Sequence, residues 1–331
     1  MGALGEKTGE RASWASVSVI IPTLGLRSSL EGALTSVLEQ EYPGPVEVIV
    51  VASAPSEDAL PVVPARPGLS VLPHVPPLSP AAARNLAISR VSGDVLVFTD
   101  DDAIAEPGWL RSLVEASAGM RAVSGSIVNG TPQSAVGTCE YLLDRLDLYP
   151  GRPADSIPWH GDTVNLLIPR PVWDQYGPFV DHKEGADGRS IGGTDTAITS
   201  RLRRAGLLVF APDARVAHLN RTRGLDMIRG QHRRGRSTAY LGRANIDHPW
   251  NGLLRHPLLA PVAAAARVFS VYRRCVRFAP ELLGRAVRLF PLLLVALCAW
   301  GAGLATEGRL LDKHMRPATM AATSSAKGQA Q

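Results

Sequence analysis

Runs of β-branched and apolar residues alternate with segments of helical periodicity over the first hundred residues of the chain. Residues 17–22, 46–51 and 94–99 each have the composition of a buried strand. Residues 28–40 and 81–90 follow the first two of these and carry apolar side chains at helical spacing. Strands that alternate with helices predict a parallel α/β sheet, in which ligands bind beyond the carboxyl ends of the strands.

The pattern is less regular after the third strand. Proline-rich residues 54–77 are typical of loops around short extended pieces, and residues 121–191 mix short strands with connections rich in glycine and proline. A helix over residues 194–205 and a strand over 207–211 follow. The tail beyond residue 315 is small and polar, which favours disorder.

Three adjacent carboxylates follow the predicted strand 94–99 directly. Asp100, Asp101 and Asp102 would repel one another there unless a cation offset their charge. Hard divalent ions such as Mg²⁺ and Mn²⁺ prefer oxygen ligands and are often shared with substrate phosphates. A solvated acidic turn is the alternative, but the position at the carboxyl end of a buried strand favours a metal site.

The charge of the chain is unevenly distributed. Its net charge is +5, yet residues 201–290 contain 18 arginines, no lysine and four acidic residues, a net charge of about +14. A basic block after an acidic body suggests an anionic partner: a membrane surface, a nucleic acid or diphosphate groups. Aromatic residues do not interleave with the arginines as a stacking platform for nucleic acid requires, so we expect no nucleic-acid partner.

An apolar segment near the end of the chain suggests contact with a membrane. Residues 289–306 carry no charge and are flanked by Arg288 and Glu307. The length of this segment is at the lower limit for a helix that spans a membrane. Upstream, the residues from Val268 to Ala279 form an amphipathic pattern with arginines off the apolar face, as in helices of a membrane interface. A helix that packs on the core with a solvated arginine face is the alternative.

The cysteines and the N-terminus bear on the compartment. Three cysteines without metal-ligand spacing favour a reduced setting over a disulfide framework. The first eleven residues are charged and show no secretory signal. We therefore expect the cytoplasmic face of the cell membrane, with peripheral binding or a single C-terminal span.

Several short motifs, in this order, resemble those of family 2 glycosyltransferases, which have the GT-A fold. The resemblance covers about residues 16–240 and depends on the order and spacing of the motifs together. The motifs are Val17-Ser18-Val19-Ile20-Ile21-Pro22-Thr23, Ala83-Arg84-Asn85-Leu86-Ala87, Ser92-Gly93-Asp94, Phe98-Thr99-Asp100-Asp101-Asp102, Asn165-Leu166-Leu167-Ile168-Pro169-Arg170, Gly177-Pro178-Phe179, Gly192-Gly193-Thr194-Asp195, Arg201-Leu202-Arg203-Arg204-Ala205-Gly206 and Pro212-Asp213-Ala214-Arg215-Val216-Ala217-His218.

The resemblance implies a fold and a division of the chain. The fold is a Rossmann-like, mostly parallel sheet with flanking helices, followed by a C-terminal helical segment that associates with a membrane. The predicted division is a disordered N-terminus over residues 1–15, a GT-A domain over 16–240, a helical membrane-associated region over 241–312 and a disordered tail over 313–331.

The resemblance also implies an activity. It is the metal-dependent, inverting transfer of a sugar from a nucleotide-sugar donor to a hydroxyl acceptor, which is a glycan, a glycolipid or a small molecule and can be lipid-linked. The expected cofactor is Mg²⁺ or Mn²⁺. Asp195 matches the catalytic base, and Asp102 and His218 match the metal ligands. The residues expected at the nucleotide sugar are Pro22, Arg84, Asn85, Asp100 and Asp101.

On the sequence alone, two of these residues also fit structural roles. Asp195 fits the N-cap of a helix, and the residue before it is Thr194 where the family commonly has Glu. A lone histidine such as His218 is more often structural than a ligand. Trp159 and His160 are candidates for the acceptor wall.

Two further departures concern the nucleotide pocket. The family usually has an aspartate after its second strand that pairs with the nucleobase, whereas here Val51 is followed by Ala52-Ser53-Ala54-Pro55. The nucleobase is therefore not assigned. Arg27 stands near a basic position of the family and is a candidate pocket residue. The donor sugar, the acceptor and the product, whether envelope polysaccharide, glycolipid or secondary metabolite, stay open.

Two other functions deserve comparison. A sugar-nucleotide pyrophosphorylase would need a glycine-rich basic loop after the first strand, and Thr23-Leu24-Gly25-Leu26-Arg27 is too poor in glycine. A catalytically inactive scaffold of the same fold would agree with the missing base-pocket aspartate and with Thr194. It would have no need of Asp100, Asp102, Asp195 and His218 together, which favours the enzyme.

Overall fold

The computed structural model describes residues 14–25, 28–180, 193–243 and 256–328, with residues 243, 257 and 312–328 described by their backbone alone. Three features of the sequence lie outside these residues. They are the first thirteen residues of the expected disordered N-terminus, the candidate pocket residue Arg27 and the motif residue Gly192.

A single mixed sheet holds the eight strands of the described part of the chain. They are β1 Val17–Leu24, β2 Val46–Ser53, β3 Leu69–His74, β4 Val95–Phe98, β5 Ala103–Ala105, β6 Ala122–Asn129, β7 Leu166–Pro169 and β8 Leu208–His218. Their order across the sheet is β3-β2-β1-β4-β7-β6-β8-β5. Four of the seven strand pairs are parallel, and β7 runs antiparallel to both of its neighbours, β4 and β6. The parallel half is the part that the strand–helix alternation predicted.

Helices cover both faces of this sheet. Within the described ranges they are α1 Leu30–Leu38, α2 Pro80–Ile88, α3 Trp109–Ala116, α4 Ala135–Asp144, α5 Arg170–Tyr176, α6 Thr194–Arg204, α7 Gly224–Arg243, α8 Ala260–Phe278, α9 Leu283–Arg288 and α10 Phe290–Gly328. Val19 and Ile21 of β1 belong to the apolar core on one face, and Ile20 between them belongs to the core on the other. This alternation is the reason that β1 is apolar throughout.

The C-terminal helices share the core of the α/β body. Val271 and Cys275 of α8 and Leu293 and Leu297 of α10 belong to the same apolar cluster as β1. Helices α7 and α10 cross at Gly235 and Gly303 so closely that a Cβ atom on either glycine would lie 2.0 Å from a backbone oxygen of the other helix. Large side chains at these positions would separate the two helices.

The end of α10 covers residues for which the sequence predicts disorder. The helix continues to Gly328, through most of residues 313–331. Alanines, which favour helix formation, are frequent in this stretch. The sequence-based division into four regions otherwise stays a prediction.

Among the described residues, one segment is long and apolar enough to cross a membrane. It is Phe290–Leu311, with a mean hydropathy of 1.6, and 39% of its most apolar window is buried against the protein. A core helix of a soluble protein has the same length and composition.

Candidate functional site: an arginine-lined cleft

The first two aspartates after β4 have different partners. Asp100 Oδ1 accepts a 2.6 Å hydrogen bond from Arg84 Nη2, and the Arg84 side chain is almost wholly buried. Asp101 Oδ2 accepts a hydrogen bond from Thr23 Oγ1 at the end of β1. Asp100 therefore faces α2 with its charge balanced by a guanidinium, while Asp101 joins β1 to the turn after β4.

The third aspartate pairs with the expected histidine. Asp102 Oδ1 lies 3.4 Å from His218 Nε2, because β5 pairs with the end of β8 and sets Ala103 opposite His218. The His218 Nδ1 atom lies 3.0 Å from Asn220 Oδ1. Asn220 uses its amide as a donor to Asn129, so its oxygen accepts from Nδ1, and the unprotonated Nε2 faces both Asp102 Oδ1 and Arg145 Nη2.

A buried arginine completes this group. Arg145 Nη1 forms an ion pair with Asp162, and its Nη2 lies 3.4 Å from His218 Nε2. Burial, and to a smaller extent the charge of Arg145, lowers the pKa of His218 to about 3. His218 is therefore a neutral imidazole, which is the form that binds metals.

Arg145 was missed at the level of the sequence. It stands at the end of α4, whose residues from Gly137 to Leu143 are all buried, so the helix lacks the one-sided apolar pattern that reveals an amphipathic helix. Nothing in the local sequence distinguishes Arg145 from a surface arginine.

Asp195 is the second residue of α6. Its Oδ1 accepts a 2.8 Å hydrogen bond from the Thr196 backbone N–H, a favourable position for a carboxylate in the first turn of a helix. The N-cap is Gly193 rather than Asp195, and the backbone at Gly193 is left-handed, with φ +83°, a conformation that favours glycine. A Cβ atom there would lie 2.7 Å from Leu241 Cδ1 of α7, which fixes α6 against α7.

These elements enclose a cleft of about 720 Å³ between the sheet and the C-terminal helices. Asp100 after β4 and Asp195 of α6 both line it, so the structure brings together two residues that are far apart in the chain. The described lining contains ten arginines and five aspartates. The arginines are Arg84, Arg145, Arg152, Arg221, Arg233, Arg234, Arg267, Arg273, Arg274 and Arg277.

The arginines of α8 have a different environment from the expected one. The sequence placed them at a membrane interface or in solvent, whereas Arg273, Arg274 and Arg277 line the cleft. Val271 and Cys275 hold the opposite face of α8 in the core. The helix is amphipathic as predicted, but its basic side contributes to the site.

The two residues suggested for the acceptor wall also lie in this cleft. The rings of Trp159 and His160 meet edge to face at 4.1 Å, and both line the cleft with Asp195. Burial lowers the pKa of His160, whose Nδ1 lies 2.8 Å from the Gly161 carbonyl oxygen. His160 is therefore a neutral side chain close to the expected base.

Three residues expected at the nucleotide sugar lie outside the described lining of the cleft. One is Asp101, which pairs with Thr23. The side-chain amide of Asn85 donates to the Phe179 carbonyl (2.9 Å) and accepts from the Phe179 N–H (3.1 Å), which holds the segment after α5 on α2. Pro22 is in β1, in register with Val51 of β2. The expected contact of these three residues with the donor stays a prediction.

Known glycosyltransferases are similar to this chain in sequence and in fold. Residues 18–135 match the model of the family described as glycosyl transferase family 2. This match covers about a third of the chain, which is therefore similar to the family over these residues. Together with the relatives it shows a glycosyltransferase, as the motifs from β1 to α6 suggested.

Relatives from two organisms extend the match beyond these residues. The chain is 28% identical to glycosyltransferase AglE of Haloferax volcanii over 228 residues, which is 66% of this chain and 72% of AglE. It is 31% identical to the pre-mycofactocin glycosyltransferase of Mycobacterium tuberculosis over 243 residues, which is 70% of this chain. The chain spans only about half of that protein, 48% of its length.

A solved structure supports the fold. The mannosyltransferase PcManGT of Pyrobaculum calidifontis, in complex with GDP-Man and Mn²⁺, superposes with a TM-score of 0.54 over 86% of this chain and 85% of that one, at 18% sequence identity. The GT-A fold predicted from the motifs is thereby confirmed, with a mixed sheet flanked by helices.

Proposed function

We propose that this glycosyltransferase is metal-dependent and inverting, that its donor is a nucleotide sugar and that its acceptor is a lipid-linked hydroxyl compound at the cytoplasmic membrane surface. The observation that supports this most is the cleft itself, because it joins Asp100, at the expected donor end, to Asp195, the expected base. A nucleotide diphosphate carries negative charge, and the excess of arginine over aspartate in the cleft is complementary to it.

The donor set beside the cleft fits a divalent ion. The Asp102 carboxylate and the neutral His218 imidazole approach to 3.4 Å, and the hydrogen bond of Nδ1 to Asn220 leaves Nε2 unprotonated on the side of Asp102. A carboxylate oxygen and an imidazole nitrogen suit Mn²⁺, and a bound ion would offset the charge of the departing diphosphate. PcManGT, the solved mannosyltransferase, binds GDP-Man and Mn²⁺.

The residues of the chain then have distinct parts in the transfer. Asp195 takes the proton of the acceptor hydroxyl as its oxygen forms a bond to the anomeric carbon. The bond between that carbon and the diphosphate oxygen breaks on the opposite face, which inverts the configuration. Arg145 is a fixed positive charge next to His218, and Arg84 orients Asp100.

The C-terminal helices support a position on the membrane surface without a span. Helix α8 exposes more than half of the side-chain surface of Val262, Phe269 and Val276. Few other large apolar side chains of the described residues are exposed to this extent. Phe290 and Leu294 of α10 are also exposed apolar side chains. Helix α10 also packs through Gly303 on α7, which favours peripheral binding over insertion across the bilayer.

A panel of nucleotide sugars tests the proposal directly. We expect one donor to stabilise the protein against heat in the presence of Mn²⁺ and to be hydrolysed slowly without acceptor. EDTA should remove both effects. Absence of binding and hydrolysis with every donor would favour the inactive scaffold instead.

A further inference from the structure

Helix α8 carries four of the arginines that line the cleft. Arg267 pairs with Asp144 at 2.8 Å, and Arg274 lies 3.5 Å from Asp147. Arg273 and Arg277 form no ion pair with any carboxylate of the described residues, although both line the cleft and are exposed. The C-terminal half of α8 therefore has positive charge available for a ligand.

The Phe278 ring and the Asp147 carboxylate lie among the guanidinium groups at this end of α8. The guanidinium carbons of Arg152 and Arg277 lie 4.3 Å and 5.1 Å from the centre of the Phe278 ring. Asp147 accepts from Arg152 at 2.5 Å and is the same carboxylate that Arg274 approaches. Burial lowers the pKa of Arg152, and the like charges of Arg274 and Arg277 add to this effect. An anion placed among them would offset this repulsion.

The surface of α8 next to these arginines is apolar. Val262, Phe269 and Val276 are seven residues apart in turn and form one exposed stripe, the apolar stripe. Arg273 lies four residues after Phe269 and three before Val276, so it is their neighbour on the helix surface. The edge of the cleft is therefore a row of cations beside a hydrocarbon-like surface.

The same cleft connects this edge to the expected base. His160, Asp195, Asp147 and Arg274 all line it, and the charges of the other three act on the pKa of His160. A ligand bound at α8 by an anionic group therefore shares one cleft with Asp195. Arg84 and Asp100 lie at the donor end, with the Arg84 side chain paired to Asp100.

We propose that Arg273, Arg274 and Arg277 bind the phosphate group of a lipid-linked acceptor, whose hydrocarbon chain lies along the apolar stripe and whose hydroxyl reaches Asp195. The inference rests on the proposed function, which it deepens by giving the acceptor a phosphate and a place on α8. The ligand must combine both chemistries, because the cations and the apolar stripe are adjacent on one helix.

Binding of decyl phosphate to the full chain, measured by calorimetry below its micellar concentration, tests this. Two ligands serve as comparisons: inorganic phosphate has the anionic group without the chain, and decyl maltoside has the chain without the charge. We expect decyl phosphate to bind about tenfold more tightly than either, and the double variant Arg273→Gln/Arg277→Gln to weaken it by about tenfold or more. The matched control is Arg223→Gln/Arg229→Gln, since these arginines are exposed, lie outside the cleft lining and remove the same charge.

Two results would overturn the inference. Inorganic phosphate that bound as tightly as decyl phosphate would indicate a site for free phosphate. Equal losses in the two double variants would indicate attraction to the overall charge. Binding of GDP and UDP with Mn²⁺ is measured in parallel on all proteins. If the unmodified protein bound no nucleotide, the proposed function would fail; if nucleotide binding persisted and decyl phosphate binding did not respond to Arg273→Gln/Arg277→Gln, this inference alone would fail.

Discussion

Arg236 of α7 and Glu307 of α10 form an ion pair inside the protein, with Arg236 Nε and Nη2 each 2.8 Å from Glu307 Oε2. The Glu307 side chain has no exposed surface. Glu307 closes the uncharged segment that the sequence suggested as a span, and its charge is neutralised within the protein. The pair therefore fixes the orientation of α10 on α7.

Removal of this charge should destabilise the protein. Glu307→Gln removes the buried carboxylate of this ion pair, and we expect a loss of about 3 kcal/mol in the free energy of unfolding. Urea denaturation measures it. The control is Glu115→Gln, which breaks an exposed pair with Arg111 and should cost no more than about 0.5 kcal/mol. Equal midpoints for the two variants would contradict a structural role for the buried pair.

Because α7 and α10 cross so closely, a single methyl group added at Gly303 should reduce the stability of the protein. In Gly303→Ala the new Cβ would lie 2.0 Å from the His232 carbonyl oxygen, so the helices must separate. We expect a loss of about 1–3 kcal/mol, visible as a lower melting temperature. Gly284→Ala is the matched control, because a Cβ there meets nothing within 4 Å and its φ is not left-handed. A melting temperature as high for Gly303→Ala as for Gly284→Ala would show that the helices are not in contact at this point.

Asp195→Asn should stop transfer and spare donor binding. An amide cannot take the proton of the acceptor hydroxyl, so we expect turnover to fall by about 10²–10⁴-fold while the dissociation constant of the donor changes little. Initial rates and calorimetry separate the two quantities. Asp213→Asn, at an 82% exposed carboxylate, is the control and should keep full activity. Full turnover in Asp195→Asn would remove Asp195 as the base.

Metal binding should depend on His218. His218→Ala is expected to weaken Mn²⁺ binding by at least about tenfold, and Asn220→Ala, which frees the imidazole to rotate, by about tenfold. His256→Ala is the control, since His256 is exposed and lies on the segment before α8. Unchanged affinity in His218→Ala would exclude His218 as a ligand.

The same site predicts an unusual pH dependence. Because burial lowers the pKa of His218 to about 3, the imidazole stays neutral above that value. Protons then compete for Nε2 only near about pH 3, and Mn²⁺ affinity should be nearly constant between about pH 8 and about pH 5. A histidine of ordinary pKa would lose affinity as the pH fell below about 6.5. Titration of Mn²⁺ binding at different pH values measures this. A steep loss of Mn²⁺ affinity between about pH 7 and about pH 5 would contradict the buried environment of His218.

The apolar stripe predicts where the protein meets a membrane. Phe269→Asp places a carboxylate on that surface and should reduce flotation with anionic vesicles by about tenfold or more, because a charge is costly in the interface. Val62→Asp is the control, since Val62 is 92% exposed on a loop far from the C-terminal helices in sequence. Equal flotation of the two variants would move the contact away from α8.

Local patterns in the sequence predicted the parallel half of the sheet and the position of the three aspartates, because a buried strand followed by charge is visible over a few residues. The helix α4 and its Arg145 were not predicted. Burial on nearly all sides removes the periodicity that marks a surface helix, and the pairing of Arg145 with Asp162 depends on tertiary contacts. The arginines of α8 were recognised as one face of a helix, yet periodicity does not say whether a polar face meets solvent, lipid or a cleft.

The wall formed by the C-terminal helices has a practical consequence for protein production. Apolar C-terminal segments are often removed to improve solubility, and the charge-free residues after Arg288 invite that choice. Trp300 of α10 lines the cleft, and the guanidinium of Arg267 stacks over its ring at 4.9 Å. A protein shortened after Arg288 would lose this contact with α8. If it were inactive, the cause would be an incomplete cleft and not only its release from a membrane.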